Sequence, residues 1–146
     1  MYSIVVENDN KNKYDCIRIC NETIHILERE DSDILLDKLF RYAIFISAKE
    51  EDAYVGFCSV YANNEITRNA YISFICVVNG SQNKGYGRLL IERAIAEARN
   101  EGMRLIRLEV RNENRKAIGF YEHCGFNFEK KSTRTIGSSY YALRIS

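Results

Sequence analysis

The 146 residues contain no proline, no internal repeat and no low-complexity tract, so composition marks no linker between separate units. The apolar runs are strand-sized, and none could span a bilayer. The opening "MYSIVVENDN" lacks the basic start, long apolar middle and small-residue cleavage site of a secretory leader, so a cytoplasmic protein without a membrane partner is expected. Cysteines are few and odd in number: Cys16, Cys20, Cys58, Cys76 and Cys124 lie scattered, mostly within apolar runs. That pattern points to reduced core thiols rather than a disulfide framework. Cys16 and Cys20 share a helical spacing with His25 not far off, but no second ligand pair follows, which argues against a metal site. There is no basic excess either. A net charge of +1 is unlike that of a dedicated nucleic-acid binder.

What is present is enough for a real core, with 46% apolar and 28% charged residues. A single domain over residues 1–146 is expected. Charge is divided unevenly along it. Residues 1–72 hold eight basic and thirteen acidic side chains, whereas residues 73–146 hold thirteen basic and seven acidic ones. An anionic ligand on the second half and a cationic group approaching the first would account for this, and so would simple attraction between the halves.

The hydrophobic periodicity gives an order of elements. "NKYDCIRICNETIHIL" is loosely helical, and "DSDILLDKLF" is a helix that Asp31 or Ser32 can cap. Three strand-like runs follow, "YAIFISA", "YVGFCSVYA" and "AYISFICVV", the last two joined by the hairpin-sized "NNEITRN". From Gly87 to Asn100 the apolar residues repeat at helical spacing, with Gly102 placed to end the helix. "RLIRLEV" alternates as a strand, "NRKAIGFYEHC" is a short helix ended by Gly125, and "FNFEKKS" and "SYYALRI" are a final strand pair. A strand–helix–strand unit among hairpins requires a mixed sheet in a layered α/β domain.

The segment "SQNKGYGRLL" (Ser81–Leu90) leads from a strand straight into a helix. Free backbone N–H groups and the positive end of a helix dipole converge there, which is the arrangement of an anion site. Gly85 and Gly87 permit close approach of a ligand, Asn83 tolerates a left-handed backbone, and Lys84 and Arg88 add charge at the rim. A P-loop would need Lys and then Ser or Thr after the last glycine, and a dinucleotide fingerprint would need a small residue where Leu90 stands. Neither pattern fits.

The stretch Gln82-Asn83-Lys84-Gly85-Tyr86-Gly87 resembles the pyrophosphate loop of the GCN5-related N-acetyltransferases, GNAT for short. Downstream, "EVRNENRKAIGFYEHCGF" resembles the second signature of that family through Asn114, Ala117, Tyr121, Gly125 and Phe126. The likeness is close over residues 70–128 and holds only in outline elsewhere. It departs from the family at Asn79, where a proline is frequent, and at Asn83, where glycine is common. Neither departure removes a side-chain function.

The resemblance implies a GNAT fold with two splayed parallel strands and acetyl-CoA as cosubstrate, with no metal. The pantetheine would lie along the backbone of Ile75, Cys76 and Val77, and the pyrophosphate on Gln82, Asn83, Lys84, Gly85, Tyr86, Gly87 and Arg88. Asn114 would cap the following helix and hold the cosubstrate amide. Tyr121, at the family tyrosine position, would protonate the leaving thiolate. No carboxylate stands on the strand before the loop, so Glu109 is the candidate base. The ribosomal-protein alanine acetyltransferases of the family pair a Glu and a Tyr at this same separation. Glu109 could instead pair with Arg107 or Arg111 on its own strand, or a water chain could remove the proton. The expected reaction is direct acetyl transfer to a primary amine. The acceptor would be a small molecule such as an amino sugar; a protein N-terminus and a non-catalytic acyl-CoA-binding role are the alternatives. Residues 1–66 carry no signature of the acceptor, and a homodimer is left open.

Overall fold

A computed structural model describes all 146 residues. The chain begins with strand β1 (Tyr2–Glu7), then α1 (Asn10–Ile24), a 3-10 turn at Ile26–Glu28, and α2 (Ser32–Tyr42). A meander follows of β2 (Ile44–Glu50), β3 (Ala53–Tyr61) and β4 (Asn69–Val77). The second half runs α3 (Tyr86–Asn100), β5 (Leu105–Arg111), α4 (Arg115–His123), β6 (Asn127–Lys131) and β7 (Ser138–Arg144). The seven strands form one mixed sheet in the order β1-β2-β3-β4-β5-β7-β6, in which only β4 and β5 are parallel.

The expected order lacked β1. Its six residues pair with β2 from Tyr2↔Glu50 to Glu7↔Phe45, but burial on this edge strand rises steadily from exposed Tyr2 and Ser3 to buried Glu7 and shows no alternation for sequence periodicity to find. The α2 cap also differs in detail. Asp31 precedes the helix without a side-chain hydrogen bond to it and pairs instead with Arg29 at 3.1 Å.

Strand alternation divides the core in two. Ile106 and Leu108 of β5, with Ile46, Cys58 and Val60, pack under Leu90, Ile91, Ala94 and Ala98 of α3 and Ile118 of α4. On the opposite face Phe45, Phe57 and Cys76 pack against Cys16, Ile17 and Cys20 of α1 and Leu36 and Leu39 of α2. All five cysteines are free thiols, and only Cys124 is incompletely buried. No helix is long and apolar enough to cross a membrane.

One irregularity positions the site. Ser59 pairs with Phe74 and Val60 with Ile72, so Ser73 is the extra residue of a bulge in β4. Its hydroxyl is fixed by the Ser59 hydroxyl at 2.7 Å. Bulges bend a strand, and here β4 leaves its parallel neighbour: pairing with β5 runs only from Asn69↔Leu105 to Tyr71↔Arg107. Meanwhile β5 stays paired with β7 as far as Arg111↔Ser138. A gap therefore opens between the C-terminal halves of β4 and β5.

Candidate active site

Residues 82–88 connect β4 to α3 at the mouth of this gap. Asn83 (φ 66°) and Gly85 (φ 89°) both take the left-handed backbone that turns the chain into the helix. The amides of residues 82–88 donate to no protein acceptor. They border a cleft of about 610 Å³ between the starts of α3 and α4, lined by Val77, Gln82, Asn83, Gly85, Tyr86, Gly87, Arg88 and Asn114, together with Ser81, Lys116, Ala117 and Phe120. Gly87 lets the two helices approach closely, since a Cβ there would stand 3.1 Å from Phe120 Cζ and press that ring aside. Asn114 caps α4, its Oδ1 accepting from Ala117 N at 3.2 Å, and its side-chain amide group takes no part in that bond. Two helix N-termini and a row of unpartnered amides thus meet in one cleft, which suits a polyanion.

A second cavity of about 200 Å³ occupies the splay itself, lined by Ile72, Ser73, Phe74, Ile75, Leu108, Glu109 and Tyr121. Tyr121 reaches it from α4, its ring packed at 5.4 Å from Phe120 and 6.1 Å from Phe126. Burial pushes its phenol well above the ordinary tyrosine range, so the hydroxyl keeps its proton at neutral pH. Glu109 reaches the cavity from β5, and its Oε2 accepts from Ser132 Oγ at 2.7 Å. Neither arginine of its strand is its partner. Arg107 makes a bidentate pair with Glu129, 2.7 Å on both arms, and Arg111 pairs with Glu113 at 3.1 Å. Tyr140 stands directly opposite Glu109 in the β5–β7 register.

A family-level sequence comparison matches residues 14–126 to the acetyltransferase (GNAT) family. The chain belongs to this family. Among curated relatives, the [ribosomal protein bS18]-alanine N-acetyltransferase of Salmonella typhimurium is 42% identical over 60 residues, a stretch that is 41% of this chain and 37% of that protein. The chain thus covers little more than a third of the length of that relative. In fold, the chain is similar to the ribosomal-protein-S18-alanine N-acetyltransferase of Escherichia coli, with a TM-score of 0.74 at 22% identity, covering 100% of this chain and 95% of that one. It is also similar to the PaiA N-acetyltransferase of Thermoplasma acidophilum in complex with coenzyme A, with a TM-score of 0.81 at 18% identity over 99% of both chains.

Within the GNAT frame the structure brings most of the expected residues together and turns three side chains elsewhere. Cys76 buries its thiol beneath α1, with Sγ 3.8 Å from Cys20 O, leaving only its backbone at the strand edge. Gln82 folds back to donate to Val77 O at 3.1 Å and Asn79 Oδ1 at 3.3 Å, so its side chain braces the loop. Lys84 pairs with Glu50 at 3.0 Å and does not line the cleft. Arg88 does line it, although Nε also meets Glu92 at 3.2 Å.

Lys116 is the residue that sequence reasoning missed. It lines the cleft from the first turn of α4 and makes no ion pair. A signal was available. Arg115 and Lys116 place two cations where a helix dipole disfavours them, and an anionic ligand would make that position favourable.

Proposed function

We propose that this chain is an acetyl-CoA-dependent N-acetyltransferase that transfers the acetyl group directly to a primary amine. The observation that carries the reading is the junction of two spaces at β4: the anion cleft under residues 82–88 and the splay cavity that holds both Glu109 and Tyr121. The residues fit the cosubstrate. Unpartnered amides of residues 82–88, Arg88 and Lys116 suit its phosphates, and the uncovered edge of Ile75, Cys76 and Val77 offers backbone partners to an amide-bearing chain.

When bound, the thioester supplies an acetyl carbonyl open to attack by a neutral amine, with thiolate as leaving group. The rest is done by the protein. Glu109, on the wall of the cavity, takes the proton of the incoming ammonium, directly or through one water. Tyr121 gives its proton to the departing sulfur. The small volume beside Glu109 suits one amine-bearing group of a small molecule, an amino sugar or similar amine, in a cytoplasmic setting. A second reading, acetylation of a protein N-terminus, is favoured by the 42% local identity to the bS18-alanine enzyme. A non-catalytic role is disfavoured, because both an acid and a base line the splay.

Calorimetry with acetyl-CoA and with CoA tests the cosubstrate, and micromolar affinity is expected. Absence of binding overturns the proposal. Gly85→Val, which forces a β-branched residue to φ 89°, is expected to weaken binding at least tenfold. Chromatographic detection of CoA release across small amines and N-terminal peptides then separates the two acceptors.

A further inference from the structure

Beyond the acid and the base, the turn between β6 and β7 holds a hydroxyl whose bonding is fully determined. Ser132 Oγ accepts from two backbone amides, Arg134 N at 3.1 Å and Thr135 N at 3.0 Å. With both lone pairs engaged, the hydroxyl can only donate, and Oγ lies 2.7 Å from Glu109 Oε2, its closest side-chain acceptor, with the Tyr140 phenol also nearby. We infer that Ser132 is a positioning residue for the acetyl-transfer reaction, holding the Glu109 carboxylate in one rotamer so that its second oxygen is left free for the ammonium. The inference rests on the reading of Glu109 as base.

The geometry has three consequences. The two amides make the donor direction obligatory: with its lone pairs engaged, Ser132 Oγ can only donate to Oε2. A donor held on two further atoms narrows the orientations open to the Glu109 side chain. The turn, twenty-three residues from Glu109 in sequence, thereby becomes part of the active site. Other polar groups stand around Glu109 as well. Tyr71 comes from β4, Tyr140 from β7, Tyr121 from α4 across the cavity, and Arg134 from the turn itself. Arg107 is neutralised by Glu129 and Arg111 by Glu113. Among these Ser132 alone donates a hydrogen bond to Glu109.

The test uses the full chain labelled with carbon-13 at glutamate carboxyl carbons, with the Glu109 signal assigned from Glu109→Gln. In Ser132→Ala the chemical shift of the Glu109 carboxyl carbon at pH 7 is expected to change, because the hydrogen bond from Oγ is lost. Acceptor kcat/KM is expected to fall about tenfold, the size of one lost hydrogen bond to a charged group, with acetyl-CoA affinity unchanged. Ser132→Thr retains the hydroxyl and should restore all of these. Ser132→Asp keeps an acceptor for the two turn amides but has no proton to give and sets a second carboxylate against Glu109, so its acceptor kcat/KM is expected to fall further than that of Ser132→Ala even if Ser132→Ala folds poorly. An unmoved Glu109 carboxyl signal in Ser132→Ala overturns the inference, as does an unchanged rate in Ser132→Ala and Ser132→Asp while Glu109→Gln is slow. Failure of the underlying reading looks different: Glu109→Gln itself would turn over at the wild-type rate.

Discussion

Tyr86 donates its hydroxyl to Glu50 Oε2 at 2.7 Å, joining the end of β2 to the first turn of α3 across the base of the glycine loop. The same oxygen receives Lys84 Nζ at 3.0 Å, so two of the residues expected to hold pyrophosphate are anchored to a carboxylate of the acidic half. The tyrosine hydroxyl first, and then the lysine, hold the Glu50 carboxyl below its ordinary value of 4.5. A carboxyl depressed in the folded state stabilises above its unfolded value and loses that contribution as pH falls through the folded one. Glu50→Gln should therefore melt below the wild type at pH 7, with the difference closing below about pH 4.5. Melting curves from pH 7 to pH 3 check this, and a difference constant with pH would show that charge plays no part.

A second expectation concerns Lys116. At the first turn of α4 its charge opposes the helix dipole, while in the cleft it faces the place argued for phosphates. Lys116→Glu should then move two measurements in opposite directions. Stability should rise by roughly 0.3–1 kcal/mol in denaturant titration. Affinity for CoA should fall more than tenfold by calorimetry. Parallel losses would mean that Lys116 holds the fold rather than the ligand.

These two residues show where sequence reasoning stops. Local features were legible. The left-handed turn at Asn83 and Gly85, the Asn114 cap, the opposed faces of β5 and the helix ending at Gly102 all follow from spacing within a few residues. Contacts across long loops were not. Glu50 meets Lys84 from thirty-four positions away, and Ser132 meets Glu109 from twenty-three. On its strand Glu109 is flanked two residues away by Arg107 and Arg111. Residues two apart on a strand lie about 6.6 Å from each other, too far for close pairing without bending long side chains together. Glu129, arriving on β6, claims Arg107 first. The Ser73 bulge was equally hidden, since an extra residue in a strand shows only against its partner's register.

Tyr121→Phe should leave the fold and cosubstrate affinity intact, because the ring contacts with Phe120 and Phe126 survive and the hydroxyl has no protein partner. Turnover should drop by about 10²–10⁴-fold, the usual contribution of a general acid. Burial holds the phenol protonated, so in the wild type loss of activity at alkaline pH should not appear in the ordinary tyrosine range. A Phe variant with wild-type turnover would assign the acid role elsewhere.

Glu109→Gln decides whether the base is a side chain or water. An alkyl ammonium must lose a proton before it can attack, and at neutral pH only a small fraction is free amine. Glutamine preserves the shape and can still accept from Ser132 Oγ, the one bond the carboxylate makes within the protein. It cannot take a proton. Because Arg107 and Arg111 have their own carboxylates, removing the Glu109 charge strands no ion pair, and stability should change little. The expected result is a lower acceptor kcat/KM at pH 7, partial recovery at high pH as free amine rises, and nearly unchanged acetyl-CoA affinity. Steady-state rates across pH, read beside calorimetry, check all three. A uniform loss at every pH together with weaker acetyl-CoA binding would place Glu109 in the scaffold of the splay and return deprotonation to water.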